Sequence, residues 1–284
     1  DDHAGDALPD AYDGMEYSVM TYRSYVGDPY PGPYSNEADG YAQSFMTLDI
    51  AALQGLYGAN HDTAAGDTHY HFDPETGVVT RDGEVLSDPS ANRIFLTIWD
   101  GNGRDTFDLS DYTTSLLVDL RPGAGTDVDA DGDHQAARLG TGVYADAQVY
   151  TSALVDGDPR GFIENAIGGS GDDTLIGNGV DNVLRGGLGS DVYRPGGGAD
   201  LIYGTLDEFE GDRIEGLDAG DRIVIEGLTL GDTSVARTFS CGSLFVSNGG
   251  RTVKIGLDLP MGLPITVAEF SRGLMIQLGV TPAE

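Results

Sequence analysis

Apolar residues recur every nine positions between residues 167 and 204. Aligned on Gly168, this segment divides into the blocks GGSGDDTLI, GNGVDNVLR, GGLGSDVYR and PGGGADLIY. The eighth position of the blocks holds Leu175, Leu184, Tyr193 and Ile202. Because neighbouring residues of a strand point to opposite faces, we predict a very short strand in each block with this residue facing inward. One block cannot bury its own apolar residue, so we expect stacked blocks to share a core.

Glycine and acidic residues fill the turns between these predicted strands. The sixth position of the blocks holds Asp173, Asn182, Asp191 and Asp200. Glycine permits the positive φ angles of a tight turn and lets main-chain carbonyls come close together. If alternate turns lie on opposite edges of the stack, residues 168–173 face residues 186–191, and residues 177–182 face residues 195–200.

Acidic side chains stacked in register repel one another unless a cation lies between them. Carboxylate and carbonyl oxygens form the hard oxygen cage that Ca²⁺ prefers, so we predict calcium between facing turns. The predicted ligand residues are Gly168, Gly169, Gly171, Asp173, Gly177, Gly179, Asn182, Gly186, Gly187, Gly189, Asp191, Gly196, Gly197, Gly198 and Asp200. Asn182 offers only a neutral oxygen, so its edge should bind calcium less tightly. The alternative is a glycine-rich surface loop whose spacing is accidental.

The nonapeptide resembles the RTX (repeats-in-toxin) repeat, which implies a parallel β-roll with calcium ions in its turns. Outside the array, WDGNGRDTFDLS at residues 99–110 resembles an isolated repeat. We predict a further calcium cluster, and its residues are Gly66, Thr68, Asp100, Gly103, Asp105 and Glu164. The alternative is a set of ordinary polar turns.

Two weaker patterns favour ordinary structure over metal sites. Residues 127–138, DVDADGDHQAAR, begin like an EF-hand loop with Gly132 at position six, but Arg138 replaces the bidentate Glu of position twelve. We expect an acidic solvated loop there, although calcium binding by it stays open. His69 and His71 share one strand face and are expected to be half-exposed polar residues rather than transition-metal ligands.

Residues 46–60, MTLDIAALQGLYGAN, predict a helix. We expect Thr47 to cap it, an apolar face to run along it, and Gly58 to end it. The residues of that predicted face are Ile50, Leu53, Leu56 and Tyr57. Upstream, YSVMTYRSYVG at residues 17–27 resembles the Met-turn of metzincin zinc proteases, and of serralysins in particular. This resemblance implies that Met20 supports a zinc site from below and that Tyr22 can reach the metal.

The string DIAALQGLYGAN resembles the last helix of the serralysin catalytic domain. With NRIFLTIWDG and ENAIGGSGDDTLIGN, the resemblance covers about residues 17–203. It implies a mainly β fold, a parallel β-roll flanked by antiparallel strands and preceded by a short, partly helical remnant of a metzincin domain. We expect the C-terminal part of the metzincin domain at residues 1–60, the β-roll at 61–230 and a β cap at 231–284. By resemblance, that cap carries a type I secretion signal, and within it residues 242–257 predict a hairpin.

A metzincin requires the motif H-E-x-x-H-x-x-G-x-x-H to hold its zinc. The histidines are His3, His61, His69, His71 and His134, and none of them begins an H-E-x-x-H string. In the family the zinc helix precedes the Met-turn, which would place it upstream of residue 1. We therefore expect no zinc site in this chain by itself, and Zn²⁺ only where that upstream segment is present.

The chain has 15 Lys and Arg against 47 Asp and Glu, giving a formal charge of −32. This charge argues against nucleic acid and anionic membranes as partners. The single Cys241 excludes an internal disulfide, and no apolar run is long enough to span a bilayer. We expect a secreted, extracellular protein. The expected partners are a protein or peptide substrate, an upstream fragment of the same protein, and the type I secretion machinery.

Three interpretations remain open. The first is the C-terminal portion of a secreted serralysin-like zinc endopeptidase, which Met20 and Tyr22 favour. The second is a non-catalytic calcium-binding RTX module with an adhesive or interaction role. The third is an enzyme of two chains, in which another polypeptide supplies the zinc ligands.

Overall fold

The computed structural model describes residues 8–29, 32–132, 135–238, 242–258, 265–271 and 273–278. The chain divides into two compact units. The first unit comprises Asp1–Gly103 and Pro122–Phe162, and the second comprises Arg104–Arg121 and Ile163–Glu284. The predicted division into three segments does not coincide with these two units and stays a prediction.

The described residues form short strands almost throughout. A helix α1 spans Thr47–Tyr57, and 3₁₀ turns span Asp10–Tyr12 and Pro159–Gly161. The strands are β1 His69–Phe72, β2 Val79–Arg81, β3 Glu84–Ser87, β4 Leu96–Ile98, β5 Thr106–Asp108, β6 Leu117–Asp119, β7 Gly125–Thr126, β8 Arg138–Gly140, β9 Val143–Tyr144, β10 Val149–Thr151, β11 Asn165–Ile167, β12 Thr174–Ile176, β13 Val183–Arg185, β14 Val192–Arg194, β15 Leu201–Gly204, β16 Arg213–Glu215, β17 Arg222–Glu226, β18 Thr233–Thr238, β19 Ser243–Asn248, β20 Arg251–Asp258, β21 Ile265–Phe270 and β22 Gly273–Leu278. No helix of the described residues has the length and apolar character needed to cross a bilayer.

The first unit combines α1 with small sheets. Strands β1, β2 and β3 form an antiparallel ladder, while β10 pairs in parallel with β4 and antiparallel with β7. Its core contains Met15, Met46, Phe95, Leu139 and Tyr150. The core therefore joins the N-terminal segment to strands that lie about a hundred residues later in the sequence.

Helix α1 differs from its prediction at its start and along its face. Met46 occupies the N-cap position, so the prediction that Thr47 caps the helix is wrong. The Asp49 carboxylate accepts the Met46 N–H at 2.9 Å and holds the first turn closed. Gly58 ends the helix as predicted, with φ of 84° and its N–H donated to the Gln54 carbonyl.

The predicted apolar face of α1 is not buried. Leu56 is 76% exposed and Tyr57 is 82% exposed, whereas Asp49 and Gln54 are buried. The physical reason is that the Asp49 carboxylate also accepts hydrogen bonds from the Ser18 hydroxyl and the Val19 N–H, which turn its side of the helix inward.

The second unit contains the predicted parallel β-roll. One sheet has the strand order β21-β22-β17-β15-β13-β11-β5, and the other has the order β18-β19-β20-β16-β14-β12-β6. Successive strands of the nonapeptide array alternate between these two sheets, so Leu175 pairs with Tyr193 and Leu184 with Ile202. The 18-residue register of facing turns is thereby confirmed.

The eighth position of each block faces inward, as predicted. Leu175, Leu184 and Ile202 are fully buried, and Tyr193 is 1% exposed. The neighbouring strands continue this core with further residues whose exposure is 1% or less, namely Phe107, Val118, Ala166, Ile214 and Ile223. The nine-residue repeat therefore supplies one apolar layer per strand to a shared interior.

The roll continues beyond the four nonapeptide blocks. Strands β16 and β17 pair in parallel with β14 and β15. In the second unit, the consecutive strands that pair antiparallel are β18, β19 and β20, and then β21 and β22. Phe209 is buried in the intervening turn, with its ring centroid 6.5 Å from that of Tyr193.

The predicted hairpin forms from β19 and β20. Asn248 pairs with Arg251, so its turn consists of Gly249 and Gly250 alone, which have φ of 58° and 84°. Strand β20 also pairs in parallel with β16, and β22 pairs antiparallel with β17. These strands cover the last edges of the roll, which would otherwise expose unpaired main-chain groups.

Candidate calcium centre in the stacked turns

Three aspartates stack along one edge of the β-roll. The Asp191 Oδ1 accepts the Asp173 N–H at 2.9 Å, and the Asp212 Oδ1 accepts the Asp191 N–H at 2.9 Å. The Asp173 Oδ1 accepts the Leu116 N–H at 2.9 Å. Each carboxylate thus ties its own turn to the turn one layer before it.

The opposite edge repeats the arrangement. The Asp200 Oδ1 accepts the Asn182 N–H at 2.7 Å, and the Asp221 Oδ1 accepts the Asp200 N–H at 3.0 Å. Asp212 and Asp221 were absent from the predicted ligand set. Both begin a D-R-I string and lie nine residues apart, which was the signal in the sequence. The spacing between stacked aspartates is 18 residues from Asp173 to Asp191 but 21 residues from Asp191 to Asp212. A strict nine-residue alignment therefore does not identify Asp212 and Asp221 as members of the stacks.

These stacked carboxyls are buried next to one another. Desolvation raises the pKa of Asp191 to about 8, and the nearby Asp212 and Asp173 carboxylates raise it further. Desolvation likewise raises the pKa values of Asp173 and Asp212 to about 7 and that of Asp200 to about 6. At neutral pH the stacks therefore require protons or cations to offset their negative charge.

Two of these carboxylates each carry an oxygen that the protein leaves unsatisfied. The Oδ2 atoms of Asp191 and Asp200 are buried and have no hydrogen-bond partner among the described residues. In contrast, the Asp173 Oδ2 accepts the Gly169 N–H at 2.8 Å. A buried, unpaired carboxylate oxygen costs several kcal/mol in order of magnitude, which a bound cation would offset.

The glycines of these turns lie directly against main-chain carbonyls of the facing turns. A Cβ atom on Gly187 would overlap the Gly169 carbonyl oxygen, and one on Gly189 would overlap that of Gly171. On the second edge, a Cβ atom on Gly196 would overlap the Asn178 carbonyl oxygen. Hard carbonyl and carboxylate oxygens at this density fit a calcium ion.

The remaining predicted glycines divide into two groups. Gly168, Gly169, Gly171, Gly177, Gly186 and Gly198 also lie where a Cβ atom would overlap a neighbouring turn or side chain. Gly179 and Gly197 have open space at the Cβ position, so close packing does not require glycine there.

Side chains alone do not form a metal cage in the described part of the chain, because no three His, Cys, Asp or Glu side chains converge on one point. Oxygens of the main chain would therefore have to complete any calcium site. This composition matches the glycine-rich turns, in which carbonyl oxygens outnumber carboxylates.

The residues of the further calcium cluster predicted outside the array are divided between the two units. In the first unit, the Asp100 Oδ2 accepts the Tyr70 hydroxyl at 2.8 Å, and the Thr68 hydroxyl donates to the Gly66 carbonyl at 2.9 Å. Gly103 is the last residue of that segment. In the second unit, the Asp105 N–H donates to the Glu164 Oε2 at 2.8 Å. A common calcium site for these residues stays a prediction.

Strands, not helices, flank the EF-hand-like loop. Strand β7 precedes it and β8 follows it, and the Asp129 N–H donates to the Asp127 Oδ1 at 3.0 Å. Asp133 and His134 lie outside the described residues, as do His3 and Cys241. His69 is exposed and His71 half-buried on β1.

The segment that resembles a Met-turn is fixed by α1. The Asp49 Oδ1 accepts a hydrogen bond from the Ser18 hydroxyl at 2.5 Å, and the Ser18 Oγ accepts one from the Met20 N–H at 3.0 Å. Met20 is 77% exposed and Tyr22 is 65% exposed. Both side chains therefore lie on the surface of the first unit, and their relation to a zinc ion stays a prediction.

Comparison with known proteins agrees with the resemblance of the motifs. Residues 59–147 match the family described as Peptidase M10 serralysin C terminal. The chain is 33% identical over 192 residues to the metallopeptidase AprA of Pseudomonas marginalis, covering 65% of this chain and 35% of the relative. It is 35% identical to a serralysin of Proteus mirabilis over 61% of this chain and 30% of the relative. It is 37% identical to serralysin C of Dickeya chrysanthemi, over 58% and 29% respectively.

The chain therefore spans about a third of the length of these relatives. The region that matches the family contains strands β1 to β9 and the acidic turn at residues 99–110, and it ends before the nonapeptide array. Together, the family match, the relatives and the β-roll support the similarity of this chain to the C-terminal part of serralysin-type metallopeptidases.

Proposed function

We propose that this chain is the calcium-dependent C-terminal portion of a secreted serralysin-like zinc endopeptidase. The observation that carries the proposal is the pair of acidic stacks in the second unit, in which the buried Oδ2 atoms of Asp191 and Asp200 have no partner among the described residues. Calcium bound between facing turns would offset the charge of these carboxylates and stabilise the β-roll.

The binding energy of calcium then becomes folding energy. Without cations the buried carboxylates must be protonated or must separate, so the turns lose the contacts that keep them stacked. Extracellular calcium modules need dissociation constants of only about 0.1–1 mM. A chain of this kind stays unfolded where calcium is scarce and folds after export.

Under this proposal the zinc site belongs to a segment outside these 284 residues. When bound, zinc would supply an activated water for attack on a peptide carbonyl. In this chain, Met20 would support that site and Tyr22 would stabilise the developing oxyanion. Asp49 keeps both residues on one ordered turn through its bonds to Ser18 and Val19.

Calcium binding is tested by isothermal titration of the chelator-treated chain with CaCl₂, with MgCl₂ as the matched control. We expect binding at sub-millimolar to millimolar calcium and much weaker binding of magnesium, which demands a stricter octahedral shell. Equal heats for the two cations, or no saturable binding, would contradict the proposal.

The protease assignment is tested by the intact mass of the native secreted protein. A mass well above 29.8 kDa, with H-E-x-x-H peptides in the digest, supports it. The same protein should cleave casein and lose that activity with a zinc chelator, while this chain with added zinc should not cleave casein. Casein cleavage by this chain that a chelator abolishes would contradict the division of roles.

The second candidate function is a non-catalytic calcium-binding module with an adhesive or interaction role. It is favoured by the histidines of this sequence, none of which begins an H-E-x-x-H string. A native mass equal to that of this chain, with calcium binding intact, would select this alternative.

A further inference from the structure

One turn of the roll is closed by two asparagine side chains. The Asn182 Oδ1 accepts the Asn178 N–H at 2.8 Å. The Asn182 Nδ2 donates to the Glu164 carbonyl at 2.8 Å and to the Asn178 Oδ1 at 3.1 Å. Asn182 is fully buried and Asn178 is 6% exposed, so these bonds form away from water.

The side-chain amide of Asn178 donates hydrogen bonds to two more main-chain carbonyls. The Asn178 Nδ2 donates to the Ile163 carbonyl at 2.7 Å and to the Leu120 carbonyl at 3.1 Å, while its Oδ1 accepts the Val180 N–H at 3.2 Å. Because a main-chain N–H can only donate and a carbonyl can only accept, these partners fix the orientation of both amides.

The block that contains this pair differs at three positions at which the other three blocks agree, and its fourth position holds Val180 in place of glycine. The second position holds Gly169, Gly187 or Gly196 in the other blocks, but Asn178 here. The sixth position holds aspartate in the others and Asn182 here. The two asparagines introduce side-chain N–H donors, whereas the other blocks have no side chain at the second position and a carboxylate at the sixth.

We propose that the Asn178–Asn182 pair takes the place of a calcium ion in its turn. Its amide N–H groups satisfy the carbonyls of Leu120, Ile163 and Glu164, which are oxygens of the type that would otherwise face a cation. The turn therefore closes without metal, and the calcium sites of the second edge begin at Asp200. This inference rests on the proposed calcium function of the roll, and it replaces the weak calcium site predicted at Asn182.

The test converts this block to the pattern of its neighbours with the triple variant Asn178→Gly, Val180→Gly, Asn182→Asp. Calcium bound at saturation is counted by native mass spectrometry. We expect the variant to bind one ion more than the wild type. The matched control Asn60→Asp makes the same amide-to-acid change in an exposed residue outside the array and should leave the count unchanged.

The outcomes separate this inference from the proposed function. If the wild type binds no calcium, the proposed function fails. If wild type and variant bind the same non-zero number of ions, only the present inference is overturned.

A measurement on the wild type keeps the inference testable if the variant does not fold. In calcium-saturated protein, the side-chain amide protons of Asn178 and Asn182 should exchange with solvent slowly, because they are buried and bonded to carbonyls. Rapid exchange of both amides, as expected if their oxygens turned to bind an ion, would overturn the proposal.

Discussion

At the scale of single residues, the two oxygens of one carboxylate have different surroundings. One oxygen accepts a hydrogen bond that stabilises the stack, and the other is a candidate calcium ligand. The Oδ1 of Asp191 has a hydrogen-bonding role, since it accepts the N–H of the facing turn. Its Oδ2 is buried without a partner among the described residues. One side chain can therefore hold the stack together and still offer an oxygen to a cation.

The variant Asp191→Ala should raise the calcium midpoint of folding by about tenfold or more. It removes a charge and leaves the buried Asp173 N–H without its acceptor, and a hydrogen bond to a charged group contributes about 1.5–3 kcal/mol. Calcium titration followed by circular dichroism measures the midpoint. Asn182→Ala, which removes no charge, should raise it less; equal midpoints for the two variants would count against this role of Asp191.

Asp172, the exposed aspartate at the fifth position of the first block, provides a control. The Asp172 Oδ1 accepts the Ser190 N–H at 2.8 Å at the surface of the same stack. Asp172→Ala deletes the same charge outside the buried site and should shift the midpoint only slightly. A shift as large as that of Asp191→Ala would show that overall charge, not the site, controls calcium binding.

The raised pKa values predict the pH dependence of the calcium-free chain. Unfolded aspartate has a pKa of about 3.9, whereas burial raises the pKa of Asp191 to about 8 and that of Asp212 to about 7 in the fold. Groups with a raised folded pKa stabilise the fold fully below the unfolded pKa, and this stability is lost as pH rises through the folded values.

In EDTA, the urea midpoint of the roll should therefore fall as the pH rises from about 5, until the roll no longer folds near pH 7.5, and Asp191→Asn should flatten that slope. Urea titrations at fixed ionic strength measure it. A midpoint that rises with pH over this window would contradict the assignment of buried, uncompensated carboxyls.

At the scale of elements, the turns depend on glycine where strands of adjacent layers come closest. Gly187 has φ of 100°, and a Cβ atom there would overlap the Gly169 carbonyl. Gly179 belongs to the neighbouring block but has open space at its Cβ position. The two glycines thus form a natural pair for comparing a required with a permitted glycine.

Gly187→Ala should destabilise the calcium-bound roll by a few kcal/mol, because it adds a clash to a left-handed conformation. Gly179→Ala should change the free energy of unfolding by about 1 kcal/mol or less. Urea unfolding at saturating calcium compares them. Equal losses of stability would contradict the packing of the turns described above.

The sequence predicted those elements whose determinants lie close together along the chain. The inward residues, such as Leu184, and the facing of Asp173 with Asp191 follow from a local nine-residue period. Asp212 was missed as a site residue because three additional residues break that period. The cap of α1 was misassigned because Asp49, not Thr47, satisfies the first turn.

The asparagine closure was also beyond the repeat pattern. Asn178 bonds to the carbonyls of Leu120 and Ile163, which lie 58 and 15 residues before it. The orientation of an amide depends on such distant partners, and spacing alone cannot supply them.

At the scale of the whole molecule, negative charge dominates. A formal charge of −32 is spread over 284 residues, and only 15 Lys and Arg are present to balance it. Ion pairs such as Arg194–Glu215 and Arg213–Glu215 lie on the second unit's surface, where each contributes at most about 1 kcal/mol. Such pairs cannot offset the buried acidic stacks, so the proposed fold of the roll at neutral pH requires cations.

The most direct test of that requirement is far-ultraviolet circular dichroism of the chelator-treated chain during calcium addition. We expect little β signal in EDTA at pH 7.5, and a cooperative gain of β structure in the submillimolar to millimolar calcium range that EDTA reverses. A full β spectrum in EDTA, unchanged by calcium, would contradict the claim that calcium folds this β-roll.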